Sequence, residues 1–231
     1  MTGLKAMLFL SVAACAALAV AVAAAGERLV LLTQDVPTFW EAVTLSSAEQ
    51  EEIQQGKVVL REVPVRGKKG RTFEAVGIYT ATLDEVFGIV TDFRRYDEFM
   101  PRVERIVVTD VSDTVFLVEQ HLKLPLGVHR RYRLRYTARR EAGGFRIDWV
   151  KVPWPEVPLG HSVVDTSGYW QVGHFGDGRL LAVYRVYTDP GKVPLGMKGL
   201  ALSISKREIP KVVERVGQRL KEGPGFRPVK D

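Results

Sequence analysis

The stretch that decides the fold of this chain is YRVYTDPGKVP, at residues 184–194. Alternation up to Thr188 predicts a β-strand, and the Asp-Pro-Gly sequence at 189–191 predicts a turn that stops it. Pro194 is typical of the first turn of a helix, and apolar residues recur at helical spacing from there to about residue 222. Pro210 is expected either to kink this helix or to begin its second half. A strand, a tight turn and a long amphipathic helix therefore end the folded part of the chain.

Upstream of this stretch the pattern is that of an antiparallel sheet. A short helix capped by serine near residue 46 is followed by two strands, a helical stretch between 82 and 100, and six further strands. The eight strands fit residues 57–65, 72–81, 102–110, 113–124, 128–140, 144–152, 161–174 and 179–188. A twisted sheet of this length cannot leave a whole face bare, so we expect it to curl around the last helix. The predicted fold class is α+β, a curved antiparallel sheet wrapped around a long C-terminal helix.

The N-terminus predicts export. Lys5 precedes an uncharged, predominantly apolar run at 6–25. This pattern favours a cleaved signal peptide that spans residues 1–25. Retention as a membrane anchor and lipidation at Cys15 stay open. Cys15 is the only cysteine, so the exported part has no disulfide, and the composition is typical of a bacterial envelope protein. We expect a protein of the Gram-negative periplasm.

Behind the leader we expect a single domain with short flanking segments. The divisions are a lead-in with a short helix at 26–56, the domain at 57–222 and a tail at 223–231. The net charge of +6 falls to about +5 without Lys5. That mild excess suits an anionic membrane surface, and we expect no nucleic-acid partner.

Arginines follow one another on one face of the predicted strand at 128–140. Strand alternation places Arg131, Arg133 and Arg135 together on that face. They could contact anionic lipid headgroups. They could equally pair with acids on neighbouring strands, such as Glu119 or Asp148.

Three stretches resemble one known superfamily. They are LDEVFGIVTDFRRYDEFMP at 83–101, DPGKVP at 189–194 and IPKVV at 209–213. They resemble the helix-grip fold of the START and polyketide-cyclase-like superfamily. The resemblance implies an apolar tunnel between sheet and last helix, for a sterol, hopanoid, phospholipid, quinone or polyketide. It also implies lipid binding or transfer, since only a minority of that superfamily are cyclases or hydrolases.

Aromatic and apolar residues of the sheet and last helix are the candidate tunnel wall, because ligand cavities are mostly apolar with a few polar groups. Arg185 is included among the candidate ligand-binding residues because the residues that share its face of the strand are apolar, so we expect it to be buried. There it could orient a ligand headgroup, or it could pair with an acid such as Glu119. The predicted ligand-binding residues are Phe116, Tyr132, Tyr136, Trp149, Trp170, Tyr184, Arg185, Met197, Leu200 and Ile204. Ordinary core packing is the alternative for the aromatic residues.

Two proline-containing loops, at 124–128 and 152–160, have apolar tips. These loops could lie at the tunnel mouth or touch a membrane. The alternative is that they are tucked against the domain. The carrier hypothesis requires a cavity of at least ~300 Å³.

Catalytic signals are weak. No histidines have metal-ligand spacing, and no nucleophile motif is present, so we expect no metal and no cofactor. An enzyme using His161, Asp165 or Asp148 as acid or base is one alternative, and it requires two such groups to converge inside the tunnel. A non-catalytic module that docks through the arginine-rich face is another.

Overall fold

The computed structural model describes residues 27–30, 38–191 and 198–223. The predicted leader, Cys15, Met197, the tail after residue 223 and the predicted helix start at Pro194 lie outside these residues. The side chain of Leu200 does too. No helix within the described residues is both long and apolar enough to cross a membrane.

Ten strands and four helices make up the described chain. The strands are β1 (Glu27–Val30), β2 (Val43–Ser46), β3 (Val59–Val63), β4 (Arg71–Tyr79), β5 (Val103–Ser112), β6 (Val115–Leu124), β7 (Val128–Glu141), β8 (Gly144–Val152), β9 (Asp165–Phe175) and β10 (Arg179–Asp189). The helices are α1 (Ser47–Gln54), α2 (Leu83–Thr91), α3 (Tyr96–Phe99) and α4 (Lys198–Glu222). Short 3₁₀ turns occupy Phe93–Arg95, Pro125–Gly127 and Leu159–His161.

Eight strands form one antiparallel sheet in the order β3-β4-β10-β9-β8-β7-β6-β5. This confirms the predicted α+β class and the order of its elements. Two details differ. The strand predicted at 161–174 begins only at Asp165, because the preceding residues form a helical turn, and the lead-in contains β1 and β2, which pair with each other.

The inner face of the sheet packs against α4, which runs through Pro210 as one helix. Val213 and Val216 of α4 are fully buried in the main core. The hydroxyl of Tyr79 on β4 donates a hydrogen bond to the Val213 carbonyl at 2.7 Å. This contact holds the second half of α4 against β4.

The outer face carries a second, smaller core. Val43 and Leu45 of β2 and Ile53 of α1 pack against Leu181 and Val183 of β10. The lead-in therefore covers the outer side of the β3, β4, β10 and β9 half of the sheet. Both faces of β10 are consequently buried.

One end of the sheet gathers connections that are distant in sequence. The antiparallel register places the C-terminal ends of β3, β6, β8 and β10 at the same end of the sheet. The turn at 64–70, the turn at 125–127 and the loop at 153–164 therefore lie at this end, which we call the mouth end.

Candidate ligand-binding site

Aromatic side chains form a continuous row across the inner face of the sheet. Phe116 of β6 lies opposite Tyr136 of β7, whose ring centroid is 5.7 Å from that of Trp149 on β8. Trp149 stacks on Tyr184 of β10 at 5.3 Å, and Tyr184 contacts Trp170 of β9 at 4.9 Å. Five of the residues predicted from the sequence are thus brought together on one wall.

The stack of Trp149 on Tyr184 depends on a glycine between them. Gly168 of β9 lies opposite Trp149, and a Cβ atom there would lie 2.5 Å from the indole ring. It would also lie 2.1 Å from the carbonyl oxygen of Arg185. Only glycine leaves the indole room to cross β9, since real Cβ contacts do not approach so closely.

The aromatic row also carries neutral hydroxyls. Burial raises the pKa of Tyr132, Tyr136 and Tyr184, so all three stay protonated near neutral pH. The Tyr136 hydroxyl accepts a hydrogen bond of 3.2 Å from the side-chain amide of Gln120. The wall is therefore apolar with a few fixed polar groups, which is the usual composition of a small-molecule site.

A cavity of about 550 Å³ opens at the mouth end, and Tyr132 is the one predicted ligand-binding residue in its lining; the five residues of the aromatic row are packed in or against the main core instead. Tyr132 and Lys151 line it from the sheet, and the loop after β8 supplies the other side. The loop residues that line it are Val152, Pro153, Trp154, Pro155, Val157, Pro158, Leu159, Ser162, Val164 and Asp165. A second cavity, of about 350 Å³, lies between the turn before β7 and His161. The larger volume exceeds the ~300 Å³ that a small-molecule site requires.

Solved structures share this architecture at low sequence identity. A STAR-related lipid transfer protein from Xanthomonas axonopodis has a TM-score of 0.60 at 17% identity, over 71% of this chain and 93% of that one. Human StAR-related lipid transfer protein 5 has a TM-score of 0.60 at 16% identity, over 72% and 83%. An aromatase/cyclase from Streptomyces sp. R1128 has a TM-score of 0.54 at 15% identity, over 71% and 95%.

The chain has the helix-grip fold. The likeness is one of architecture, and it confirms the fold that the three sequence stretches implied. No protein-family model and no curated protein matches the sequence.

Arg185 does not belong to the inner wall of this helix-grip fold. The sequence correctly indicated that its neighbours on the strand are apolar, but they face the outer core under the lead-in. There the Arg185 guanidinium lies 3.0 Å from a carboxylate oxygen of Glu41 and 3.0 Å from one of Glu74. Its partners are these acids rather than Glu119, and it points away from the aromatic row.

One of the three predicted arginines of β7 has a cross-strand acid partner. Arg133 pairs with Glu119 at 2.7 Å, as the cross-strand alternative predicted. Arg131 and Arg135 have no ion-pair partner among the described residues. Burial, together with nearby Arg105 and Arg131, lowers the pKa of His121, which lies opposite Arg131. His121 is therefore more often neutral than a free histidine, beside arginines that stay charged.

The two proline-containing loops are partly tucked and partly exposed. Val157 is buried, and the indole of Trp154 packs against His121 and under the Arg133 guanidinium, with centroid distances of 5.9 and 5.0 Å. Leu159 at the other end of this loop is 79% exposed, and Leu126 in the turn before β7 is 75% exposed. Part of the loop at 152–160 is therefore tucked against the domain, while one apolar side chain in each loop is exposed.

The proposed acid–base residues do not converge. Asp148 pairs with Arg139 and Arg146 on the outer face, at 2.6 and 2.9 Å. Asp165 lines the larger cavity, whereas His161 lines the smaller one. Within the described chain, no three His, Cys, Asp or Glu side chains are placed to hold a metal ion.

The remaining predicted residue, Ile204, is half-buried on α4. Sequence reasoning missed Lys151 and Ser162, which line the larger cavity. Lys151 could have been found, because alternation on β8 puts it on the same face as Trp149. Ser162 could not, because it lies in an irregular loop whose path has no periodic signal.

Proposed function

We propose that this helix-grip protein binds a hydrophobic ligand at the inner face of its sheet and carries it within the cell envelope. The observation that carries the proposal is the cavity of about 550 Å³ at the mouth end, which Tyr132 lines from the same inner face that bears the aromatic row from Phe116 to Trp170. Burying the apolar surface of a ligand here supplies roughly 25 cal/mol per Å². The class we expect is a lipid, a sterol or hopanoid, or a quinone.

The structural neighbours support this function over an enzymatic one. Two of the three compared structures are lipid transfer proteins, and the third is an aromatase/cyclase. The catalytic alternative needs two acid–base groups inside the site. Asp165 is the one member of the predicted set that lines the larger cavity, so the geometry favours a carrier.

Ligand entry is proposed at the mouth end. The turn at 125–127, the loop at 153–164 or the last helix would move to admit a ligand, and the closed cavity would shield it from water. The chain would meet its ligand in the periplasm, after export by the leader at 1–25.

Contact with an anionic membrane surface is proposed at the same end. Seven large apolar side chains of the described residues are exposed, and four of them, Val65, Leu126, Leu159 and Val164, lie at the mouth end. Basic residues stand near them, among them Lys68 and Lys69 in the turn at 64–70 and Arg130 and Arg131 beside the turn at 125–127. Apolar tips surrounded by cations suit an anionic lipid surface, where each basic residue adds about 1 kcal/mol.

Mass spectrometry of organic extracts tests the carrier function. The protein is purified without detergent from a bacterial envelope, and we expect a stoichiometric amount of one class of apolar molecule. In a Val164→Trp variant the indole should fill the cavity, because Val164 lines it and is half-exposed, and the amount of ligand should fall.

Val111→Trp is the matched control. Val111 is 63% exposed and lies on β5 at the end of the sheet opposite the mouth end, so this variant should retain the ligand in full. An empty wild-type protein that also binds no added apolar molecule would refute the carrier function and turn attention to an enzyme assay.

A further inference from the structure

Lys151 is a cation on a wall that is otherwise aromatic and apolar. In β8 it lies opposite Leu134 of β7 and two residues from Trp149, so it shares the inner face with both. It is half-buried and lines the larger cavity together with Tyr132. Arginines and lysines elsewhere on the sheet mostly lie on the outer face or at its edges.

Among the described residues this lysine has no compensating acid. Within the described part of the chain, no Asp or Glu oxygen lies within ion-pair distance of its ammonium group. Asp165 lines the same cavity but does not pair with it. A charge beside an apolar wall is costly unless a counter-charge or water meets it. The position is therefore suited to a counter-charge that arrives with the ligand.

A hydrogen-bond donor stands next to the lysine. Tyr132 is on the inner face of β7, one alternation step from Leu134, the residue opposite Lys151. Because its hydroxyl is protonated near neutral pH, it can donate to the same oxygen-rich group that the ammonium attracts. The Tyr132 hydroxyl donates to no protein group in the described residues.

We propose that Lys151, assisted by Tyr132, binds a single anionic group, a carboxylate or a phosphate, on an otherwise apolar ligand. The inference rests on the proposed function and narrows it to acidic amphiphiles, whose apolar part lies along the aromatic row. A charge-assisted contact to an oxyanion contributes more than a contact to a neutral hydroxyl. A sterol or an alcohol would leave the ammonium group without a counter-charge.

Calorimetric titration of the full chain with four probes tests this assignment. Dodecanoic acid, dodecyl phosphate and 1-dodecanol share one tail and differ in the head, and inorganic phosphate has the charge without the tail. We expect at least one of the two acids to bind about tenfold more tightly than the alcohol, since a hydrogen bond to a charged group is stronger than one between neutral groups. The acid that binds more tightly shows whether the anionic group of the ligand is a carboxylate or a phosphate. If only inorganic phosphate binds tightly, the proposal that the ligand is an acidic amphiphile is wrong.

Three variants localise the effect. Lys151→Gln should bring the acids and the alcohol to within about twofold of each other, because only the charge contact is lost. Lys123→Gln removes an exposed lysine from the outer face of β6 and should leave the preference intact. Asp165→Asn removes the acid that lines the cavity and should strengthen acid binding.

The outcomes separate this inference from the function on which it rests. If wild type binds the alcohol as tightly as the acids, or if Lys151→Gln keeps the acid preference, the assignment of Lys151 is wrong and the carrier function stands. If neither the acids nor the alcohol bind, the assignment of Lys151 is wrong, and mass spectrometry of the purified protein decides the carrier function separately. Circular dichroism of each variant shows that a lost preference is not a lost fold.

Discussion

Glu74 is a buried carboxylate that holds the outer face together. It lies on β4, is 2% exposed, and pairs with Arg61 on β3 and Arg185 on β10. Arg185 also contacts Glu41 of the lead-in, which pairs with Arg146 at 2.8 Å. A buried charge is stable only while its partners stay in place. This chain of pairs therefore positions the lead-in over the sheet.

Replacing Glu74 with Gln should lower the free energy of unfolding by about 3 kcal/mol, because two guanidinium groups lose their buried counter-charge. Urea denaturation followed by circular dichroism measures the change. Glu62→Gln is the control, since Glu62 pairs with Arg71 in an exposed position and should change the free energy by less than about 1 kcal/mol. Equal effects of the two variants would show that the outer cluster is not a buried network.

At the scale of single residues, alternation predicts which side chains share a face but not which face surrounds a ligand. For this reason Arg185 was expected on the ligand wall, and Lys151 was missed. Arg185 has apolar neighbours because β10 is buried on both faces, and its own face belongs to the outer core. The sequence has no periodic signal that separates two buried faces of one strand.

At the scale of elements, signals contained within a few residues were predictable. The capping boxes at Ser46 with Glu49 and at Thr82 with Glu85 begin α1 and α2. The strands β5 to β10 follow period two over nine or more residues, so their order along the chain was correct. The pair β1 and β2 was missed because strands of four residues are too short for alternation to emerge.

The contact between α4 and β4 gives a prediction at this scale. A Cβ atom at Gly77 would lie 2.9 Å from a methyl group of Val213, so Gly77→Ala should displace α4 and destabilise the fold by about 1–3 kcal/mol. Val213→Ala alone should also destabilise, by leaving a cavity. The double variant should lose less stability than the two single variants lose in sum, because alanine at position 213 leaves room for the new methyl group at position 77.

Thermal or urea unfolding of the four proteins in this cycle measures the coupling. Hydrogen exchange in α4 should increase in Gly77→Ala and recover in the double variant. Strict additivity would mean that α4 does not approach β4 as closely as the 2.7 Å hydrogen bond between Tyr79 and Val213 indicates.

At the scale of the whole molecule, sheet order determines what the mouth end contains. Val65 and Leu159 are almost a hundred residues apart in sequence, yet both follow strands that end at the same edge. Each loop could be identified in the sequence from its prolines and glycines. That the loops lie close together could be predicted only by knowing the strand order β3-β4-β10-β9-β8-β7. The candidate cavity was unpredictable for the same reason, since β7, β8 and a loop of a dozen residues form it together.

The membrane proposal is tested at this scale with vesicles of phosphatidylglycerol and phosphatidylcholine. Leu126→Asp combined with Leu159→Asp should weaken vesicle binding about tenfold or more, because each leucine loses an apolar burial of about 1.5–3 kcal/mol and gains repulsion from the anionic lipid. Co-sedimentation measures it, and added salt should weaken wild-type binding further because the basic residues of the mouth end are exposed. Val111→Asp introduces one such charge at an exposed apolar position of the opposite end, so it should bind like wild type, and each single leucine variant is compared with it. If Val111→Asp weakens binding as much as the double variant, general charge governs membrane contact, and the mouth end has no special part in it.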